Sequence, residues 1–215
     1  WFQPALNYGF AQTDPEHPWM QPVDAAGPQL VRHEIKKVMK FWLEMGASGF
    51  RVDMAASLVK RDHDKSETIR FWRWIRKWMD EDYPEAVLVA EWGDPAKAIP
   101  AGFHADFLIG FTSPGWVSLF HKRGRGRWRD PYSWPFFDES GHGDIRQFLD
   151  EYRPYLEAVQ GQGFVALITG NHDETPRLAN GRSPAMLKLI YLFLLTMPGP
   201  PFIYYGDEIG MQYRE

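Results

Sequence analysis

Between residues 29 and 45 the apolar side chains Val31, Ile35, Val38, Trp42 and Met45 return every three or four positions. That is the spacing of one helix face, and Gly46 follows as a left-handed stop. Residues 49–55 change period. Val52 and Met54 fall on one side and Arg51 and Asp53 on the other, which predicts a short buried strand ending in an aspartate. A second helix is predicted over 65–79, with Ile69, Trp72, Ile75 and Met79 on one face and Tyr83-Pro84 as its end. Residues 87–90 are unbroken apolar, the pattern of a parallel strand covered on both faces, and lead into Glu91. Residues 107–111 form a third such run.

Farther on, Ile145, Phe148, Leu149, Tyr152, Leu156 and Val159 predict a helix over 144–159. Residues 164–168 read as a fourth strand, leading to Asn171-His172-Asp173. Ser183-Pro184 opens a helix running to 197 that is apolar nearly all round and is expected to be buried. A fifth strand over 201–205 precedes Gly206-Asp207-Glu208. Strands alternating with helices build right-handed β-α-β units and a parallel sheet, an α/β fold. The proline-rich residues 1–27 read as irregular. Residues 112–143 read as one long loop, and no internal repeat or other boundary stands out.

Composition narrows the function classes. With 215 residues, the chain is long enough for one sizeable core. Lys122, Arg123, Arg125, Arg127 and Arg129 around Trp128 have the look of a nucleic-acid patch. A net charge of -4 argues against that reading and leaves a solvated loop near a cleft. Without cysteine there is neither a disulfide framework nor a thiolate metal site, and the compartment stays open. The ten tryptophans suit core packing or sugar stacking alike. No run of eighteen apolar residues exists, so no membrane span is expected. A first residue of Trp1 suggests a piece of a longer polypeptide.

The candidate chemistry lies in three carboxylates. Asp53, Glu91 and Asp173 each come just past the carboxyl end of a predicted strand, the ends that form one rim in a parallel barrel. Carboxylates at close range push their pKa values apart, so one stays protonated while another stays ionised. Glycosidic-bond cleavage needs that pair: an acid for the leaving oxygen and a carboxylate for the sugar carbon. Arg51 beside Asp53 holds it ionised and oriented, although the same pair also suits a structural ion pair.

Taken in order, these motifs resemble glycoside hydrolase family 13, the α-amylase family. Gly49-Phe50-Arg51-Val52-Asp53 is similar to its nucleophile motif, Val89-Ala90-Glu91 to its acid/base motif, and Asn171-His172-Asp173 to the motif of its third carboxylate. Gln3-Pro4-Ala5-Leu6-Asn7 and the stretch from Pro201 to Glu208 resemble the segments before the fourth strand and at the eighth.

The resemblance implies a partial TIM (β/α)8 barrel, strands four to eight with their helices. Residues 1–215 are then the C-terminal part of the catalytic barrel, with the first strands and the inserted domain absent. It implies Asp53 as nucleophile, Glu91 as acid/base and Asp173 as a ligand of the ring hydroxyls. His172 and Asn171 join it on the sugar, and Arg51 orients Asp53. A retaining site places Asp53 and Glu91 roughly 5–5.5 Å apart. Arg177 is expected as a substrate contact or a salt bridge, and Trp92 to line the cleft or cover the sheet. His33, His63, His104 and His121 are assigned to surface or core, and Asp207 and Glu208 to shaping a loop.

The implied substrate is an α-glucan or maltooligosaccharide, without nucleic acid or membrane. No metal ligands are identified and no cofactor is required; a structural calcium in a full-length protein is not supported by these residues. Ala5 stands where the family has aspartate, and Met54-Ala55-Ala56-Ser57 lacks the family's usual lysine and histidine. These departures leave room for an α-glucosidase or a glucan transferase. The alternatives are a transglycosylase or sugar isomerase on the same scaffold, and a non-catalytic relative serving as a binding subunit.

Overall fold

A computed structural model describes residues 5–110, 112–121, 133–173 and 177–213. Gln3 and Pro4, Phe111 and the basic stretch from Lys122 to Arg129 lie outside them. In chain order the elements are α1 (Ala26–Glu44), β1 (Gly49–Val52), α2 (Ser66–Asp82), β2 (Val87–Ala90), α3 (Pro95–Ala98), β3 (Ala105–Phe107), α4 (Pro114–Phe120), α5 (Arg146–Val159), β4 (Phe164–Ile168), α6 (Pro184–Thr196) and β5 (Pro201–Phe202). The hydrogen-bonded strand order follows the chain, β1-β2-β3-β4-β5. Of the described residues, those within 1–92 and 97–105 pack as one unit, and those within 93–96 and 106–215 as a second.

In the first unit β1 and β2 run parallel, with Gly49 opposite Val87 and Val52 opposite Ala90. Gly49 has φ 146°, and a Cβ there would stand 2.1 Å from the Val87 carbonyl oxygen, so only glycine permits this approach. The core is aromatic: Phe71 packs edge-on against Trp72, and Trp72 against Phe103, both at 4.9 Å between centroids. The buried Asp62 carboxylate accepts the Thr68 N–H at 2.8 Å and the Glu67 N–H at 3.3 Å, capping the first turn of α2.

Three expectations need correction here. β1 stops at Val52 and is only partly covered; Met54, expected as a strand residue, is exposed in the left-handed region at φ 44°. The inward face of α1 is Pro28, Arg32, Met39 and Leu43, while Val38, Trp42 and Met45 of the predicted stripe are exposed. Arg32 accounts for the rotation. Its guanidinium sits over the Phe71 ring and donates to the Tyr8 carbonyl, so a cation occupies the inner face where periodicity counts only apolar residues.

In the second unit β4 and β5 are parallel neighbours, with Leu167 opposite Pro201. Gly199, at φ 102°, lies against the Val165 carbonyl as Gly49 lies against Val87. α4 and α5 supply the core around Trp116, Leu119, Phe120 and Phe148. The half-buried Arg182 closes it by donating to the carbonyls of Leu178, Phe137 and Phe120.

The predicted 112–143 loop contains a helix, α4, opened by Ser113-Pro114. Gly115 in its first turn obscures the pattern; that residue is required because a Cβ would meet the Gln147 carbonyl at 2.7 Å. β3 is shifted from the predicted 107–111. Leu108 and Ile109 remain buried, but the strand itself ends at Phe107. β5 ends at Phe202 instead of 205. The expectation that α6 is buried all round also fails: Ile190 and Leu194 face the core, and Leu189, Leu192 and Leu195 are exposed. Among the described residues no helix is long and apolar enough to cross a membrane.

Candidate active site

In the first unit, the site starts where β1 ends. Val52 accepts the Glu91 N–H at 2.9 Å, and Glu91 returns its own carbonyl to the Ala55 N–H at 3.2 Å. These two bonds carry the pairing of β1 and β2 past the strand ends. Trp72 of α2 donates its indole N–H to the Ala55 carbonyl at 3.0 Å, fixing the turn that follows Asp53 from below. The backbone alone therefore brings residues 51–55 beside Glu91.

Arg51 joins the two carboxylates. One of its terminal nitrogens lies 2.7 Å from Asp53 Oδ1 and the other 2.7 Å from Glu91 Oε1. The other Glu91 oxygen accepts the Met54 N–H at 3.0 Å. The environments differ: the Asp53 side chain is 72% exposed and that of Glu91 10%.

The Glu91 carboxyl is held above the usual carboxylate range, first by burial. A hydrogen bond shared with Asp53, and the Asp53 charge, push the same way; the Met54 N–H and Arg51 oppose them. One exposed carboxylate beside a second that favours its proton can divide nucleophile from acid.

In the second unit, Asn171-His172-Asp173 follow β4. Asn171 Oδ1 accepts the Asp173 N–H at 3.0 Å, a tight local turn, and His172 Nε2 lies 3.5 Å from Asp173 Oδ2. Both side chains are accessible, 65% for His172 and 46% for Asp173. The Asn171 amide nitrogen is buried and finds no acceptor among the described residues.

Trp92 and Arg177, each read with two alternatives, have these surroundings. Trp92 is 7% exposed, its ring edge-on to Phe103, so it packs in the core. The chain turns directly after it, where the buried Asp106 carboxylate accepts the N–H groups of Gly93 and Asp94. Arg177, 10% exposed, donates to Asp207 and to the Tyr205 carbonyl, which is the salt-bridge alternative.

Sequence reasoning missed the Met54 backbone as a partner of Glu91, because a methionine gives no sign of left-handed geometry. Among the described residues no group of three or more His, Asp or Glu side chains is placed to hold a metal ion.

A family model described as the alpha-amylase catalytic domain matches residues 26–215. The chain belongs to this family. Its α/β fold is accordingly that of a partial TIM barrel of the α-amylase type.

The chain is similar to Alpha-amylase 3 of Dictyoglomus thermophilum, 30% identical over 186 residues, which cover 85% of this chain and 33% of that protein. It is also similar to the 4-alpha-glucanotransferase of Thermotoga neapolitana, 28% identical over 86% of this chain and 36% of that protein. The chain thus spans about a third of the curated relatives it matches.

Among solved structures, the Nostoc punctiforme debranching enzyme matches 86% of this chain and 37% of its own, at 27% identity and a TM-score of 0.57. Eubacterium rectale Amy13B matches 89% of this chain and 37% of its own, at 22% identity and a TM-score of 0.60, a likeness of fold.

Proposed function

We propose that the natural protein is a retaining glycoside hydrolase or transglycosylase acting on α-glucosidic bonds of α-glucans or maltooligosaccharides. The observation that carries the reading is the Arg51 bridge, one guanidinium holding an exposed Asp53 and a largely covered Glu91. One guanidinium reaching both carboxylates holds them side by side, which supports the short separation of a retaining pair, about 5–5.5 Å.

In the first step an Asp53 oxygen bonds to the anomeric carbon as the glycosidic bond breaks. The proton of Glu91 goes to the departing oxygen. In the second step Glu91 takes a proton from water, whose oxygen displaces Asp53 and regenerates the carboxylate with retention. A sugar hydroxyl in place of that water gives transfer. Asp173, with His172 and Asn171, hydrogen-bonds the hydroxyls of the sugar at the cleavage point. Arg51 keeps Asp53 ionised and aimed.

Incubation of the natural protein with maltooligosaccharides, with and without added glucose as acceptor, tests this reading. Release of reducing ends is expected, and Asp53→Ala should lower it by at least about a thousandfold. A rate unchanged by that substitution would overturn the assignment and favour a binding subunit. The names of the relatives cover both hydrolysis and transfer, which supports keeping both outcomes. Longer products made only with acceptor would identify a transferase.

A further inference from the structure

The mechanism above does not use Asp207, although its carboxylate is 1% exposed and fully engaged. Oδ2 accepts the hydroxyl of Thr169 at 2.6 Å, and Oδ1 accepts Arg177 at 3.2 Å. These partners stand on either side of the Asn171-His172-Asp173 motif, Thr169 just before it and Arg177 four residues after it.

Neighbours of Asp207 strengthen both holds. Thr169 Oγ1 also accepts the Tyr204 N–H at 2.8 Å, and the Thr169 N–H donates to the Phe202 carbonyl at 2.9 Å. Arg177 donates to the Tyr205 carbonyl at 2.6 Å, its guanidinium 4.5 and 4.6 Å from the ring centres of Tyr204 and Tyr205.

We propose that Asp207 is a positioning residue. By holding Thr169 and Arg177 at once, it closes the base of the segment that presents Asp173 and His172 to the sugar. The inference rests on the glycosidase reading above. The physical basis is that one buried carboxylate satisfies donors from both sides of the motif, so losing it takes the acceptor from the Thr169 hydroxyl and the carboxylate partner from Arg177. Among the described residues, the motif's own short turn at Asn171 and the end of β4 also hold it. A shift of an ångström at its base moves Asp173 relative to the reacting carbon, where misplacement costs on the order of a hundredfold in rate.

The test uses the natural protein and maltotriose, with kcat, KM and unfolding measured for Asp207→Asn, Thr169→Val and Thr169→Ser. Asp207→Asn keeps the shape but removes the charge and leaves one acceptor oxygen where Arg177 and Thr169 each have one. Thr169→Val removes the hydroxyl alone, and is informative if Asp207→Asn fails to fold. Thr169→Ser restores the hydroxyl.

For the first two, kcat should fall about 10- to 100-fold with KM within about threefold, at a temperature where both are folded. Thr169→Ser should stay within about twofold of the parent, and the Asp207→Asn/Thr169→Val pair should lose no more than the worse single variant. Unchanged kcat in folded Thr169→Val, or an equal loss in Thr169→Ser, overturns the proposal. Asp173→Asn is the control: if it leaves activity intact, the glycosidase reading fails by itself. The positioning role is then judged by the ¹⁵N and ¹H shifts of the His172 ring, which must move in Thr169→Val and not in Thr169→Ser.

Discussion

The backbone N–H of Met54 donates to Oε2 of Glu91 at 3.0 Å, and Met54 does so from left-handed backbone at φ 44°. A side chain that is mostly in solvent therefore sits in a conformation L-residues disfavour, and the gain is an amide aimed at the candidate acid. Met54→Gly keeps the amide and removes the steric cost. It should leave stability unchanged or raise it by about 1 kcal/mol, measured by urea unfolding, with an unaltered pH–activity profile. Met54→Val should destabilise, because a β-branched residue tolerates this backbone least.

Asp53 acts on Glu91 through a shared hydrogen bond and through its charge, and both raise the Glu91 pKa. Asp53→Asn removes the charge and offers an amide donor in its place. The Glu91 carboxyl should then titrate at lower pH, read by ¹³C NMR of the labelled side chain. A Glu91 value that stays put or rises would overturn the role given to Asp53.

His104, assigned from sequence to surface or core, completes the β2 ladder from outside. Its Nδ1 accepts the Leu88 N–H at 2.9 Å, and its own N–H donates to the Leu88 carbonyl at 2.9 Å. Burial, with the charge of Arg76, holds the ring below the ordinary imidazole pKa. A depressed imidazole stabilises fully above its unfolded value of about 6.5 and loses that contribution as pH falls through it toward the folded value. Urea midpoints at pH 7 and pH 5 should show His104→Ala destabilised at pH 7 and closer to the parent at pH 5.

Leu192 and Leu195 of α6 are each 60% exposed, and Trp42 and Met45 near the end of α1 are 52% and 69% exposed. Such faces promote association when nothing covers them. The polypeptide 1–215 should bind an apolar dye and self-associate in light scattering. Leu192→Glu with Leu195→Glu should reduce both, at a stability cost within about 0.5 kcal/mol per site.

How far the sequence could be read follows from what each pattern encodes. The run Val87–Ala90 is apolar without interruption, so its end, and hence Glu91, was plain. The alternation at 49–53 placed Asp53 equally well. Periodicity describes an element's own pattern and not which neighbour covers it. That is why the outward turn of Trp42 and of Leu192 was hidden, and why Arg32 on the inner face of α1 was invisible. Arg177 and Asp207 were recognisable as motif members, but their mutual pairing joins residues 30 positions apart and carries no local sign. Trp92 followed Glu91 in sequence, yet a side chain adjacent to a catalytic candidate points inward as readily as outward.

Gly49 and Gly199 are laid directly against carbonyls of the next strand, one in each unit. At those two places the distance between strands is set by bare backbone, so evolutionary drift has nowhere to go. Elsewhere a larger side chain can be accommodated by neighbours that repack. Here even a methyl group would pry two stretches of backbone apart next to the strands that lead to Glu91 and Asp173. A saturation library should return glycine alone at both positions, leaving them as fixed points around which the rest of the sheet is free to vary.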